Sequence, residues 1–397
     1  MIAPSGAFAF TRLEKVVFGP GKVAELGPEL DRRGLRRAVI VTGKTLGRSA
    51  LLDRVTAAMD GRCAGVFAGA AQHVPAQTVR DLTAELVRLG ADAVVSFGGG
   101  SPIDTAKVAA ASVMNGRDMT AEAGELRLAD AFAASGAGDE LVHIAVPTTL
   151  SAAEYTPAGG ATHETDRIKR ATLDARLQPK LVINDPELTL QTPDWLWAAT
   201  GMRALDHAVE AVYSVRCQPF VDALAAKAIR LLHEHLPASV RTRGQERVAH
   251  RGHCQIAAWC SLFGGFNTGL GVSHALGHQV GPMWDVPHGV TSCITLPHAM
   301  RFMAKVAPER FEPIAEGLRI PFDPAAPQAA ALACAEAVAG LAAGLPVPRR
   351  WADAGVGRDA LRQVAQAVHE EIALFGVVGR RVAPEEVIEL LEAGCDA

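Results

Sequence analysis

Hydrophobic and polar positions change their rhythm once along this chain, and the change divides it in two. In the first half, short apolar runs alternate with longer stretches of helical period. Residues 15–19 (KVVFG) and 37–43 (RAVIVTG) read as strands, the second β-branched and closed by glycine, as suits a strand buried on both faces. Helical patterns follow near 50–59 and 76–89 with a strand near 63–67 between them, and residues 92–101 (DAVVSFGGGS) pass from a strand into a glycine cluster. Residues 115–139 are Ala/Gly-rich and weakly patterned, so a loop with a short helix is expected there. Residues 141–149 resume the sheet, 155–172 suit a hairpin, and 181–185 (LVIND) suit a closing strand. This alternation predicts βαβ units, that is, a parallel sheet with helices on both faces. Beyond Pro193 strand signals nearly vanish, and Ala/Leu-rich helical patterns occupy 198–215, 221–235, 246–263, 288–304, 328–342, 360–371 and 384–392. The expected division is therefore an α/β domain over residues 1–190 and an all-α domain over 191–397.

Composition narrows the setting. Across 397 residues, 49% hydrophobic and 21% charged residues with a net charge of −4 describe a globular chain, with neither the basic surplus of a nucleic-acid binder nor the acidic excess of disorder. The seven cysteines are odd in number, scattered and without a C-x-x-C pair, which fits a reducing compartment and argues against a disulfide framework or a zinc knuckle. The first residues lack a charged leader followed by an apolar core, and no apolar run reaches membrane-spanning length. A cytoplasmic, unanchored protein acting on a small molecule is the expectation.

Two stretches carry candidate chemistry. The first is GGGSPIDTAK at residues 98–107, which follows a strand and opens a helix. Bare glycines let backbone approach an anion, and N–H groups at a helix start point toward it, so Gly98, Gly99, Gly100 and Ser101 suit a pyrophosphate. The spacing is not the G-x-G-x-x-G fingerprint, so an ordinary Rossmann domain is not implied. The earlier strand ends Thr42-Gly43-Lys44, with no acid to bind a ribose 2′-hydroxyl and repel a 2′-phosphate; NADH and NADPH both stay open, and Lys44 reads equally as a solvated turn residue. Asp104 and Lys107 read either as part of this motif or as residues capping and solvating the helix.

The second stretch, residues 271–289 (GVSHALGHQVGPMWDVPHG), holds His274, His278 and His288. Histidine binds metals when neutral and passes protons near neutrality. His274 and His278 are one helical turn apart, and Pro287 is expected to end their helix and return the chain toward it.

These stretches, taken in order with PTT at 147–149, DP at 185–186, ALDHAVE at 204–210 and PHG at 287–289, resemble the iron-containing alcohol dehydrogenase superfamily over most of the chain. AAQHVP at 70–75 and PTTLSAAEYT at 147–156 are more similar to its maleylacetate reductase branch. The resemblance implies a dehydroquinate synthase-like architecture: a Rossmann-like NAD(P)-binding domain, a helical domain and an active site in the cleft between them. It implies that Thr148 and Thr149 line the nicotinamide half of the cofactor, and, by analogy, a homodimer. It also implies a zinc or iron ion on an Asp and three His, of which His207, His274 and His288 carry over.

The Asp does not carry over, because Arg203 occupies its place. A guanidinium cannot deprotonate or ligate, and beside a divalent ion in a partly buried site it is repulsive. Either Arg203 replaces the metal and forks onto a substrate carboxylate or developing oxyanion, or it turns away and a three-His site survives. Asp206, about 100° around a helix from His207, is a poor substitute ligand. Departures from the maleylacetate reductase pattern are Ser273, where that branch carries a His, and Arg203, where it tends to carry Asn. The leading expectation is an NADH- or NADPH-dependent reductase of a small carboxylate-bearing unsaturated or keto acid, without metal, in which Arg203 neutralises charge and one of His207, His274, His278 and His288 gives the proton. A metal-dependent alcohol dehydrogenase or aldehyde reductase is the alternative, and a nucleotide-binding pseudoenzyme a third.

Overall fold

The computed structural model describes residues 6–120, 141–163 and 169–396. Its contacts divide the chain into two units, Phe10–Thr192 and the residues from Pro193 onward, the latter joined by the stretch that ends at Ala9. The chain start expected in the α/β half thus packs with the helices: the Phe8 ring meets Phe220 edge-on, and the Ala9 N–H donates to Asn267 Oδ1.

In the α/β unit the strands are β1 (Lys15–Phe18), β2 (Ala38–Gly43), β3 (Cys63–Ala70), β4 (Ala93–Gly98), β5 (Val142–Pro147), β6 (Ala158–Thr162), β7 (Lys169–Leu173) and β8 (Leu181–Asn184). Its helices are α1 (Leu26–Arg32), α2 (Ala50–Ala58), α3 (Ala76–Leu89) and α4 (Gly100–Asn115). Six strands form a parallel sheet in the order β1-β8-β5-β4-β2-β3. Alternate residues of one strand point to opposite faces, and both faces are dry. Ala38 and Ile40 of β2 pack with Leu26, Leu30, Val55 and Met59, whereas Val39 and Val41 pack with Val79, Leu82 and Leu86.

The expected closing strand β8 is interior, because β1 pairs on its outer side in the register Lys15↔Leu181 to Phe18↔Asn184. β6 and β7 form the expected antiparallel hairpin. The loop with a short helix expected at 115–139 lies largely outside the described residues. From β2 the chain steps to β3 on one side and then crosses back to β4 on the other, so the carboxyl ends of β2 and β4 flank a topological switch point, where open α/β sheets bind ligands.

The helical unit holds α5 (Asp194–Tyr213), α6 (Pro219–Arg241), α7 (Gly244–Leu262), the single turn α8 (Gly265–Thr268), α9 (Val272–Trp284), α10 (His288–Val306), α11 (Glu312–Leu318), α12 (Pro327–Ala343), α13 (Arg358–Leu361), α14 (Ala365–Phe375) and α15 (Pro384–Ala393). α5 is buried on every side from Trp197 to Tyr213, which makes it the unit's central helix. Trp197 anchors it, donating from Nε1 to Ser239 Oγ at 2.9 Å beneath the Arg251 guanidinium, 4.5 Å from the ring centroid. Among the described residues no helix is long and apolar enough to cross a membrane.

Candidate functional site

The glycine cluster stands where β4 becomes α4. Gly98 has φ of 145°, a conformation that side chains rarely adopt, and a Cβ there would lie 2.8 Å from Pro102 Cγ. Thr149 stands 3.0 Å from where a Cβ on Gly99 would be, and the Thr148 N–H donates to Gly98 O at 2.8 Å, so the loop after β5 braces the cluster. No side chain caps α4 at Gly99, which leaves its first-turn N–H groups available to an anion. Two buried hydroxyl oxygens here lack hydrogen-bond partners among the described residues: Ser151 Oγ, 3.3 Å from a Cβ position on Gly100, and Thr42 Oγ1 at the end of β2. Gly43 and the exposed Lys44 follow Thr42 at the switch point. A pyrophosphate fits this combination of close backbone, uncapped N–H groups and unspent hydroxyls.

Asp104 lies half-buried in the second turn of α4, past the cap. Lys107 departs from the solvated reading altogether. It is fully buried, and its Nζ donates to Ala153 O, Thr156 O, Thr156 Oγ1 and Ala158 O at 2.6–3.0 Å, tying α4 to the segment after β5. A buried ammonium with four acceptors holds structure together, and none of its protons faces a ligand.

The histidine site is built on one stripe of α5. Arg203, Asp206, His207 and Glu210 sit at i, i+3, i+4 and i+7, so all four share a face, and all are buried. Asp206, discounted from its angle to His207, is on this stripe and is its hub. Its Oδ2 accepts from Ser273 Oγ at 2.9 Å and Ser292 Oγ at 2.6 Å, with Arg203 Nη1 3.5 Å away. Arg203 Nη1 also reaches Ser292 Oγ at 3.1 Å, and its other nitrogens make no hydrogen bond among the described residues.

Glu210 organises the start of α9. It accepts from the N–H of Gly271 at 2.8 Å and of Ser273 at 2.6 Å, and it holds His274 Nδ1 at 2.5 Å. A carboxylate on these orphan N–H groups replaces the missing side-chain cap of α9 and sets the tautomer of His274, leaving Nε2 as its acceptor.

α9 ends at Trp284 with Asp285 left-handed at φ 56°, and Pro282 lies inside its last turn. Pro287 therefore does not end the histidine helix. It is the N-cap of α10, before His288, where its missing N–H costs the helix no hydrogen bond. Gly289 lets this start approach α5, since a Cβ there would lie 2.7 Å from the backbone of Ala199.

The imidazoles fall into two pairs. His207 and His274 are buried with ring centroids 5.0 Å apart, while His278 stacks on the exposed His288, also at 5.0 Å and with planes 4° apart. His274 and His278 stand 6.1 Å apart. His278 Nδ1 meets Glu371 Oε1 of α14 at 2.5 Å, and the other oxygen of Glu371 accepts from Gln279 Nε2 at 2.7 Å. Sequence reasoning discounted Asp206 and gave no role to Glu210, Ser292 or Glu371. The stripe spacing on α5 held a signal for the first two; nothing local marks Glu371.

Electrostatics follow from burial. His207 and His274 are held well below the ordinary histidine range, first by burial and then by the nearby Arg203 cation, so both are neutral near pH 7. Burial raises Asp206 and Glu210 above the carboxylate range, and Glu210 pushes Asp206 further, against the pull of Arg203 and the hydroxyls. In this site three buried polar atoms have no hydrogen-bond partner among the described residues: Asp206 Oδ1, His207 Nδ1 and His274 Nε2. The described group whose donor atoms all lie within 4.8 Å of one another is Asp206, Glu210 and His274; His207, His274 and His288 do not gather so closely.

Comparison with known proteins adds two family matches, to the iron-containing alcohol dehydrogenase family over residues 14–186 and to the C-terminal region of the Fe-containing alcohol dehydrogenase family over residues 197–395. The chain belongs to the iron-containing alcohol dehydrogenase family. It is 30% identical over 383 residues to lactaldehyde reductase of Escherichia coli K12, covering 95% of this chain and 97% of that protein. It is 32% identical over 316 residues to maleylacetate reductase of Burkholderia cepacia, covering 79% and 80%. A crystal structure of 1,3-propanediol oxidoreductase superposes with a TM-score of 0.88 at 28% identity, covering 98% of this chain and all of that one. This family member is thus an NAD(P)-dependent oxidoreductase with the α/β-plus-helical architecture of its relatives.

Proposed function

We propose that this chain is an NADH- or NADPH-dependent reductase of a small carboxylate-bearing unsaturated or keto acid, with conversion of maleylacetate to 3-oxoadipate as the type reaction, and that it works without a metal. The observation that carries this reading is the buried Arg203, anchored through Nη1 to Ser292 and Asp206 on the histidine face of α5. A divalent ion there would stand beside a fixed positive charge. Within the donor group, Glu210 is committed to three N–H donors and Asp206 Oδ2 to two hydroxyls, so Asp206 Oδ1 and His274 Nε2 are left, on the same buried face as the Arg203 cation. These residues do not fit a divalent cation, and no step is routed through one.

The bound nicotinamide supplies hydride. The uncommitted N–H edge of Arg203 pairs with the substrate carboxylate, or with the oxyanion that forms when hydride adds to a conjugated bond, and cancels its charge inside a buried site. His207 and His274, neutral and buried, accept hydrogen bonds and orient the substrate. His278 gives the proton: its side chain is 29% exposed against 0% for His274, and Glu371 on Nδ1 fixes the ring and leaves Nε2 to donate.

The decisive measurement is reduction of maleylacetate with NADH and NADPH before and after chelation. Unchanged turnover on chelation is expected, with Arg203→Asp lowering kcat/KM by about 100-fold. Stoichiometric metal with chelator-sensitive turnover overturns the reading. That outcome favours the second one, a zinc- or iron-dependent alcohol dehydrogenase or aldehyde reductase, which the names of the lactaldehyde and propanediol relatives and the Asp206, Glu210, His274 grouping support.

A further inference from the structure

Away from this site, the hairpin of α6 and α7 carries a second histidine cluster. His235 of α6 and His250 of α7 place their Nδ1 atoms 2.9 Å apart. His253, one turn beyond His250, lies face to face with His235 at a centroid distance of 4.2 Å and an angle of 12°. His235 and His250 are half-buried and His253 is exposed, so the cluster is open to solvent. Glu246 lies a turn before His250, its Oε1 3.8 Å from the outer Nε2.

Burial lowers the pKa of His235, with His253 and His250 adding to the effect. In its neutral form an imidazole nitrogen is a metal ligand. One Nδ1–H of the facing pair must donate to the other Nδ1; with that proton moved to Nε2 and the rings turned off the Nδ1–Nδ1 line, both lone pairs can converge on one ion. Two imidazole nitrogens each about 2.05 Å from one ion and about 90° apart are roughly 2.9 Å from each other, the tetragonal arrangement that nickel(II) and copper(II) prefer.

We propose that His235 and His250 form a surface site for a tetragonal transition-metal ion, with His253 as a third ligand after a turn of its exposed ring, and that the ion clamps α6 to α7. The site is independent of the α5 stripe and of any metal in the reductase chemistry.

The test is calorimetric titration of the full-length protein with NiCl2 at pH 7.5, paired with thermal unfolding. One equivalent is expected to bind and to raise the melting temperature. His235→Gln is expected to weaken binding by at least about 10-fold and abolish the thermal shift, because one of two anchoring ligands is gone. His253→Gln should weaken binding less, and His274→Gln not at all. Absence of binding overturns the proposal, as does binding that survives in His235→Gln or vanishes in His274→Gln. Far-ultraviolet circular dichroism of each variant before titration confirms that a lost signal is not lost fold.

Discussion

The turn after β4 and the buried stripe of α5 prepare for ligands in opposite ways. Around Gly98–Ser101 the surfaces are backbone N–H groups and hydroxyls, and the buried cation Lys107 is spent on four structural acceptors. Along α5 an arginine, two carboxyls and a histidine are buried together, with both carboxyls favouring the Arg203 charge while opposing each other. The first arrangement is neutral and costs little to hold without a ligand, since only shape and a few N–H directions are prepared. The second must balance charge against charge in a poorly polarisable interior, where removing one partner leaves the rest uncompensated. Substitutions should therefore be graded in severity in the turn and abrupt on the stripe.

The largest effect is expected at Glu210. Glu210→Gln keeps the volume but sets an amide N–H₂ against two backbone N–H groups and His274 Nδ1, which now receive one carbonyl oxygen in place of a carboxylate. Losing a buried, charge-assisted acceptor of this kind should destabilise the helical unit by about 3 kcal/mol. Urea unfolding monitored by tryptophan fluorescence measures it. A loss below about 1 kcal/mol, the usual worth of an ordinary neutral hydrogen bond, would mean that the stripe is as tolerant as the turn and that the contrast is false.

How much of each region could be read in advance follows from the same contrast. The glycine turn is local: strand, GGGS and helix are contiguous, and their alternation exposes both the sheet and the switch point. Arg203 was legible because it breaks a pattern at one position. The stripe's partners were not, because Ser273, Ser292 and Glu371 come from α9, α10 and α14, and no periodicity within one helix reports which face of another it meets. Pro287 was assigned to the wrong helix for a related reason, since a proline marks a boundary without saying on which side of it the helix lies. β8 seemed to close the sheet because it comes last, whereas β1, some 160 residues earlier, adds outside it.

A smaller effect is expected in the turn. Gly98→Ala forces a methyl to within 2.8 Å of Pro102 Cγ and places alanine at φ 145°. The strain should cost about 2 kcal/mol. If the proposed pyrophosphate seat is correct, the KM for NADH or NADPH should rise by about 10-fold while kcat at saturating cofactor changes little. An unchanged cofactor KM together with a destabilised protein would leave Gly98 as a packing residue and locate the phosphates elsewhere.

The smallest effect tests whether the α/β unit also carries hidden charge sensitivity. His143 of β5 is buried, bonded through Nε2 to Ser96 Oγ at 2.8 Å, and pushed down to about 3 by burial and by the Lys107 cation behind it. Its ordinary value of 6.5 applies in the unfolded chain, so between these two values the unfolded state binds the proton that the folded state refuses. The stability it contributes is complete above the ordinary value and drains away as pH falls toward 3. From pH 7.5 to 5.5 this one group should remove about 1 kcal/mol. His207 and His274 shift in the same direction in the helical unit, so the wild-type slope alone does not isolate it. The difference between wild type and His143→Gln does: urea unfolding at the two pH values should show the variant losing about 1 kcal/mol less than wild type. Equal losses would mean that His143 takes up its proton as readily in the sheet as in the unfolded chain, and that burial beside Lys107 does not make it charge-sensitive.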